Sequence, residues 1–219
     1  MTTLARLRRL DCCALSDALD SLGLKGAVTG LRQESGSGRI AGRAITVKVG
    51  VGSPPPGPPR HLGTAAIEAG GPDNIIVIEQ RSGIEAGCWG GLLTLGAKAR
   101  GIGGVVADGP VRDIDEARAH GFAIFTHRMT CLTARGRVVE LGTNVPVTIG
   151  DVSVHADDYV VADNSGVIVI RADDVQRVVE AAERIVTREA AMARAIGPTK
   201  PISAVLGGDY EHMLDGEKA

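Results

Sequence analysis

Leu10, Leu15, Ala18, Leu19 and Leu22 recur at helical spacing, and Gly23 stands where a left-handed residue closes a helix, so the chain is expected to open on an amphipathic helix. From Arg39 the period shortens to two. Ala41, Ile45, Val47 and Val49 alternate with Gly42, Arg43, Thr46 and Lys48, as in a half-buried strand. The run 50–59 (GVGSPPPGPP) has too many prolines for a helix or a central strand, and reads as a surface excursion or a lid over a site. The apolar runs 75–78 and 103–107 flank a helical pattern in 87–100, which predicts a strand–helix–strand unit. A short helix over 111–120 and a strand over 122–125 extend it. Short apolar runs at 138–139, 145–149, 152–154, 159–162 and 167–170, broken by Gly142, Gly150 and Asn164-Ser165-Gly166, predict an antiparallel region. Asp173 and Asp174 introduce a long helix carrying Val175, Val178, Val179, Ala182, Ile185, Val186 and Ala190, which Gly197-Pro198 ends. The expected class is α/β, with residues 1–219 as one domain, a core over about 10–196 and a tail over 197–219.

Composition narrows the function. With 24 Lys+Arg against 26 Asp+Glu, net charge −2, 44% hydrophobic residues and 219 residues in all, this is an ordinary globular chain. A chain of that size should bury roughly 70% of its unfolded surface. Clustered basic charge for nucleic acid or a membrane surface is missing, and two Phe, two Tyr and one Trp cannot build a base-stacking platform. Neither nucleic acid nor membrane is therefore an expected partner. Cys12, Cys13, Cys88 and Cys131 show no metal or redox spacing and are expected as small buried apolar groups. The N-terminal run MTTLARLRRLDCC lacks the apolar stretch of a signal peptide, and no stretch approaches a membrane span, so a cytoplasmic location is expected.

The run 36–41 (GSGRIA) matches G-x-G-x-x-A but leads into a strand, whereas a dinucleotide loop must open a helix. That argues against a dehydrogenase or a nucleotide-dependent methyltransferase. The segment Val105–Glu116 carries more chemistry, because an apolar strand ends at Gly109-Pro110 and delivers Arg112, Asp113, Asp115 and Glu116. Asp113 and Glu116 fall on one helical face, close enough to hold a hard divalent cation, and Arg112 offers a planar fork to a carboxylate or keto oxygen. By themselves these residues are better explained as acids at a helix N-terminus beside a surface ion pair. The glycine-rich run 87–91 also opens a helix, whose free N–H groups could take a small carboxylate or could simply permit tight packing.

Taken together, W-G-G-L-L at 89–93 and the run from Ala97 to Asp113 resemble the family of the regulator of ribonuclease E activity A (RraA) and the divalent-metal-dependent 4-hydroxy-4-methyl-2-oxoglutarate aldolases. The likeness extends to Ser16–Leu19, Gly42–Val47, Asp163–Val167, the long helix and a tail ending Tyr210–Leu214. It implies an αββα swivelling-type fold with a long C-terminal helix, and a homotrimer or hexamer with the active site between subunits. It also implies that Gly90, Gly91, Leu92, Leu93 and Arg112 bind substrate, that Arg112 and Asp113 are catalytic, and that Asp113 binds Mg²⁺ or Mn²⁺. The family's aldolases resemble D-x20-R-D, whereas this chain has Gly91 at the first position and follows G-x20-R-D-x2-E, with Glu116 as an added metal ligand.

The activity so implied is a carbon–carbon lyase acting on a small 2-oxo dicarboxylate through a pyruvate enolate, as an aldolase, an oxaloacetate decarboxylase or both. The alternative is a non-catalytic regulator that binds and inhibits a ribonuclease. Spacing singles out no general base. Glu189 on the long helix is a weak candidate, His61 is expected to be solvated, and Glu85, just before the glycine run, is a weak candidate for lining the site.

Overall fold

The computed structural model describes residues 1–207, and the Tyr210–Leu214 run of the tail lies outside them. The elements in chain order are α1 (Thr3–Leu7), α2 (Cys12–Ser21), β1 (Ala27–Val28), β2 (Arg32–Ser35), β3 (Ile40–Gly50), α3 (Thr64–Ala69), β4 (Asn74–Glu79), α4 (Gly91–Ala99), β5 (Val105–Asp108), α5 (Ile114–Ala119), β6 (Ile124–Thr126), β7 (Val139–Thr143), β8 (Val147–Ile149), β9 (Val152–Val154), β10 (Tyr159–Asp163), β11 (Gly166–Ile170) and α6 (Val175–Ala195), before a 3₁₀ turn at Ile202–Ala204. The main sheet runs β1-β11-β10-β3-β4-β5-β6-β2, and β7 also pairs with β3.

β3 joins two kinds of sheet. Its first residues pair antiparallel with β10 and its last with β7, while Arg43–Lys48 run parallel to β4. Parallel pairing continues through β5 to β6, and the β10–β11 hairpin is antiparallel, as the apolar runs predict. One expectation changes: β3 is buried on both faces over most of its length. Ala44 faces one core, and Ile45, Val47 and Val49 face another. β4 shows the same division, Ile76 and Ile78 packing under α3–α5 while Ile75 and Val77 face the opposite core.

Three apolar clusters result. Helices α3, α4 and α5 cover the parallel end of one face. Helices α1, α2 and α6 cover the antiparallel end through Leu7, Leu15, Val178 and Ile185 against Val161, Ile168 and Ile170. The other face of the curled sheet closes over Phe125, Val160, Val167 and Val169 with the β8–β9 hairpin, which supplies Val147, Ile149 and Val154. Helix α2 ends as expected, with Gly23 at φ +66° and the N–H groups of Gly23 and Leu24 donating to Asp20 O and Leu19 O. Gly36 and Gly38, both at positive φ, turn the chain into β3, so the GSGRIA run is a turn. Cys12 and Cys88 are buried as expected, but Cys13 and Cys131 are exposed, because the first sits on the solvent side of α2 and the second in a surface turn. No helix among the described residues is long and apolar enough to cross a membrane.

Candidate active site

The site is built where the parallel strands give way to short extended segments. Beyond β4, β5 and β6 the chain forms a narrow ribbon in which Trp89 pairs with Val111 and Val111 with Met129. Its bonds include Cys88 N–H to Pro110 O (2.8 Å), Arg112 N–H to Trp89 O (3.0 Å) and Val111 N–H to Arg128 O (3.0 Å). Trp89 is buried and donates through Nε1 to the Thr94 hydroxyl (3.0 Å), which ties the ribbon to the first turn of α4. The geometry fixes Arg112 beside the N-terminus of α4.

The glycines of the 87–91 run are needed for close approach. A Cβ on Gly87 would meet Arg112 Cγ at 3.0 Å, and one on Gly90 would meet Asp113 Oδ2 at 2.8 Å. Asp113 itself adopts a left-handed conformation (φ +57°), uncommon for a residue with a side chain, and does not cap its own helix α5. Its carboxylate crosses to α4 instead. Oδ2 accepts from the Gly91 N–H (3.0 Å), and Arg112 Nε donates to Oδ1 and Oδ2 at 3.1 and 3.2 Å. The Thr94 N–H makes the first bond within the helix, to Gly90 O, so the N–H groups of Leu92 and Leu93 have no partner inside the helix at its positive end, and both residues border the cleft.

Glu116 completes the group from the next turn of α5. A Cβ built on Gly91 would lie 1.9 Å from Glu116 Oε2, so the Glu116 carboxylate occupies the space that a side chain at position 91 would take. The Asp113 and Glu116 carboxylates thus converge over the first residue of α4. No group of three or more His, Cys, Asp or Glu side chains is assembled among the described residues. Two carboxylates without sulfur or imidazole suit a hard cation that keeps most of its water, so the donor set fits Mg²⁺ or Mn²⁺ better than zinc.

The cleft over these groups holds about 170 Å³ and is lined by Gly87, Trp89–Leu93, Arg112 and Asp113, with His61, Leu62 and Thr133–Arg135 opposite. All the proposed substrate-binding positions, Gly90, Gly91, Leu92, Leu93 and Arg112, therefore border one space. His61 borders it and is exposed, as expected of a loop histidine. Thr133, Ala134 and Arg135 were not foreseeable, since no periodicity or motif marks them. Other acids go elsewhere. Asp108 turns toward the β8–β9 hairpin, where it accepts from the Gly150 N–H (2.8 Å) and faces Arg81 and His127. Asp115 pairs with Arg118, and Glu85 pairs with Arg128 at 3.4 Å. Glu189 stands on α6 near Asp17 and Asp11; burial first, then those two charges, raises its pKa.

Residues 12–169 match the family model described as RraA-like, Aldolase/RraA. The chain belongs to the RraA-like family. Protein DlpA of Legionella pneumophila is 30% identical over 80% of this chain, a match that spans only 28% of DlpA's own length. A protein of Halalkalibacterium halodurans, named as a candidate 4-hydroxy-4-methyl-2-oxoglutarate aldolase, is 29% identical over 88% of both chains. Among solved structures, Streptomyces coelicolor RraAS2, described as an unusual member of the RNase ES inhibitor RraA family, superposes with a TM-score of 0.75 at 25% identity, covering 86% of this chain and 94% of its own. The mixed sheet flanked by helices is the RraA-like fold that the resemblance implied.

Proposed function

We propose that this RraA-like protein is a divalent-metal-dependent carbon–carbon lyase that cleaves a small 2-oxo dicarboxylate, by retro-aldol reaction, by decarboxylation of oxaloacetate, or by both. One observation carries the reading: the Glu116 carboxylate fills the space above Gly91 and stands beside Asp113, so a chain without an acid at position 91 still presents two carboxylates there. Asp113 and Glu116 would hold Mg²⁺ or Mn²⁺, whose charge would stabilise the oxygens of a developing enolate. The amides of Leu92 and Leu93 bind the 2-oxo acid carboxylate at the positive end of α4. Arg112, fixed through Nε to Asp113, has its terminal guanidinium nitrogens left for the keto oxygen.

Leu92 is 84% exposed at the edge of the cleft, a large apolar side chain on the first turn of α4. Assembly as a homotrimer or hexamer, in which a neighbouring copy completes the site and covers Leu92, is part of this proposal and follows from the family resemblance. The regulator reading draws its support from the likeness to RraAS2.

The deciding experiment follows pyruvate release from oxaloacetate and from 4-hydroxy-4-methyl-2-oxoglutarate with Mg²⁺, Mn²⁺ or EDTA. Turnover is expected to require the metal. Arg112→Ala should raise the barrier by about 2–4 kcal/mol, as for other donors aimed at developing charge. Absence of turnover on both compounds, together with no metal binding by calorimetry, would reject the lyase and leave ribonuclease inhibition to be assayed.

A further inference from the structure

The cleft over α4 opens into a larger space. His61, Leu62, Ala134 and Arg135 line both the cleft of about 170 Å³ and a second cavity of about 740 Å³. By itself the cleft is smaller than the roughly 300–1,000 Å³ of common small-molecule sites, and the second cavity falls within that range. Pro55, Pro58, Leu62, Ala65, Val138 and Val139 give it mainly apolar walls. On its proline-rich side each ring fixes φ, which lowers what has to be ordered when a ligand enters.

The polar groups of the cavity are unequally engaged. Glu140 accepts from the Gly63 N–H (2.7 Å) and the Thr143 hydroxyl (2.6 Å), which fastens the end of the proline loop to β7. Arg60 stands 3.8 Å from Glu68. Arg135 has only its backbone N–H engaged among the described residues, with the Thr133 hydroxyl, so its guanidinium is left at the junction of the two spaces. A charge carried deep among the apolar walls would be costly, whereas the C4 hydroxyl or the second carboxylate of a 2-oxo dicarboxylate, held at the junction, meets Arg135.

Resting on the 2-oxo acid reading of the cleft, we infer that the second cavity is the subsite for the fragment that leaves as a carbonyl compound, and that it selects 4-hydroxy-2-oxo acids bearing an alkyl or aromatic group on C4. In that reaction the C3–C4 bond breaks, the C4 hydroxyl gives up its proton to become the carbonyl of the leaving fragment, and C3 of the pyruvate half takes up a proton. The pyruvate half stays over α4 while the apolar half lies against the proline wall. Arg135 faces the C4 oxygen at the junction and acts as a specificity-determining residue.

The test titrates the Mg²⁺-loaded protein by calorimetry with pyruvate and with 2-oxo-4-phenylbutanoate, which keeps the 2-oxo acid head and cannot undergo retro-aldol cleavage. The phenyl compound should bind at least tenfold more tightly. Ala65→Phe, which fills the cavity from α3, should bring the two affinities within threefold of each other, and Val139→Phe should do the same from the opposite wall if Ala65→Phe does not fold. Equal affinities in the parent protein, or a preference that survives a folded cavity-filling variant, would overturn the subsite while leaving the 2-oxo acid cleft standing. Absence of binding by both compounds would overturn the cleft reading and the subsite with it.

Discussion

At the scale of single residues, positions 91 and 116 form one unit. Because a Gly91 Cβ and Glu116 Oε2 compete for the same 1.9 Å, the chain can keep an acid from either position, and here it keeps the one on α5. Glu116→Ala should therefore lower Mg²⁺ affinity at least tenfold by calorimetry. Gly91→Asp in that background should recover most of the loss, since the new carboxylate enters the vacated space at the favourable end of α4. Failure of the second change to restore affinity would mean that Glu116 acts elsewhere. Arg112, Asp113 and Glu116 stand out in the sequence because they crowd into 112–116 after an apolar strand that ends at Gly-Pro, but their spacing alone favours a helix terminus with a surface ion pair, and it is the family resemblance that gives them roles. Thr133, Ala134 and Arg135 were not legible, because they reach the cleft from a surface turn that only the ribbon through Val111 and Met129 brings near. The exposed Cys13 and Cys131 show the same limit: residue type gives average burial, and position decides the case.

At the scale of elements, legibility followed the local signal. α6 and the β10–β11 hairpin carry their periodicity and stop signals within their own residues, and they appear where the pattern places them. α4 forms inside 87–100, but Leu92, Leu95 and Ala99, whose spacing with Leu93 suggests a buried helix, are exposed, and the helix packs instead through Leu93, Thr94 and Ala97. α1, β1, β2 and α3 are short and gain their stability from partners distant in sequence, as when Ala27 and Val28 pair with Ile168 and Val167. β3 looked half-exposed because of Arg43 and Lys48, yet Arg43 lies over the Tyr159 ring and Lys48 faces Glu79, so polar tips are accommodated on a strand buried along most of its length. Gly23 provides a test of an element end. At φ +66° with open space around its Cα, a side chain would meet no neighbour and would pay only for the left-handed backbone. Gly23→Ala should cost about 1 kcal/mol in urea unfolding, with the cleft unaffected. A neutral result would show that the end of α2 is held by Leu22 and Leu24 packing and not by the turn.

For the whole molecule, carboxylates with shifted pKa gather on α2, on α6 and at Asp163 at the end of β10, and they pull in opposite directions. Burial raises the pKa of Asp17, with Asp20 and Asp11 adding to the effect. Burial also works against the Asp163 carboxylate, yet the N–H groups of Cys12 and Ser165 that donate to it carry its pKa below the ordinary value. Glu183 is lowered by its hydrogen bond from Arg6. A raised carboxylate binds protons more readily in the folded state, so the strain at Asp17 and Glu189 is relieved as pH falls from neutral toward the ordinary carboxylate value of about 4. A lowered carboxylate contributes stability that is complete above that value and is lost as pH falls through its own folded pKa. Asp163→Asn should therefore lower the urea midpoint at pH 7, and its difference from the parent should close only below about pH 4. Asp17→Asn should raise the midpoint at pH 7, and its difference should begin to close at a higher pH than that of Asp163→Asn. If both differences closed over the same range, the two carboxylates would be titrating as one group, and the amide bonds that tie the start of α2 to the β10–β11 turn would not be what separates them.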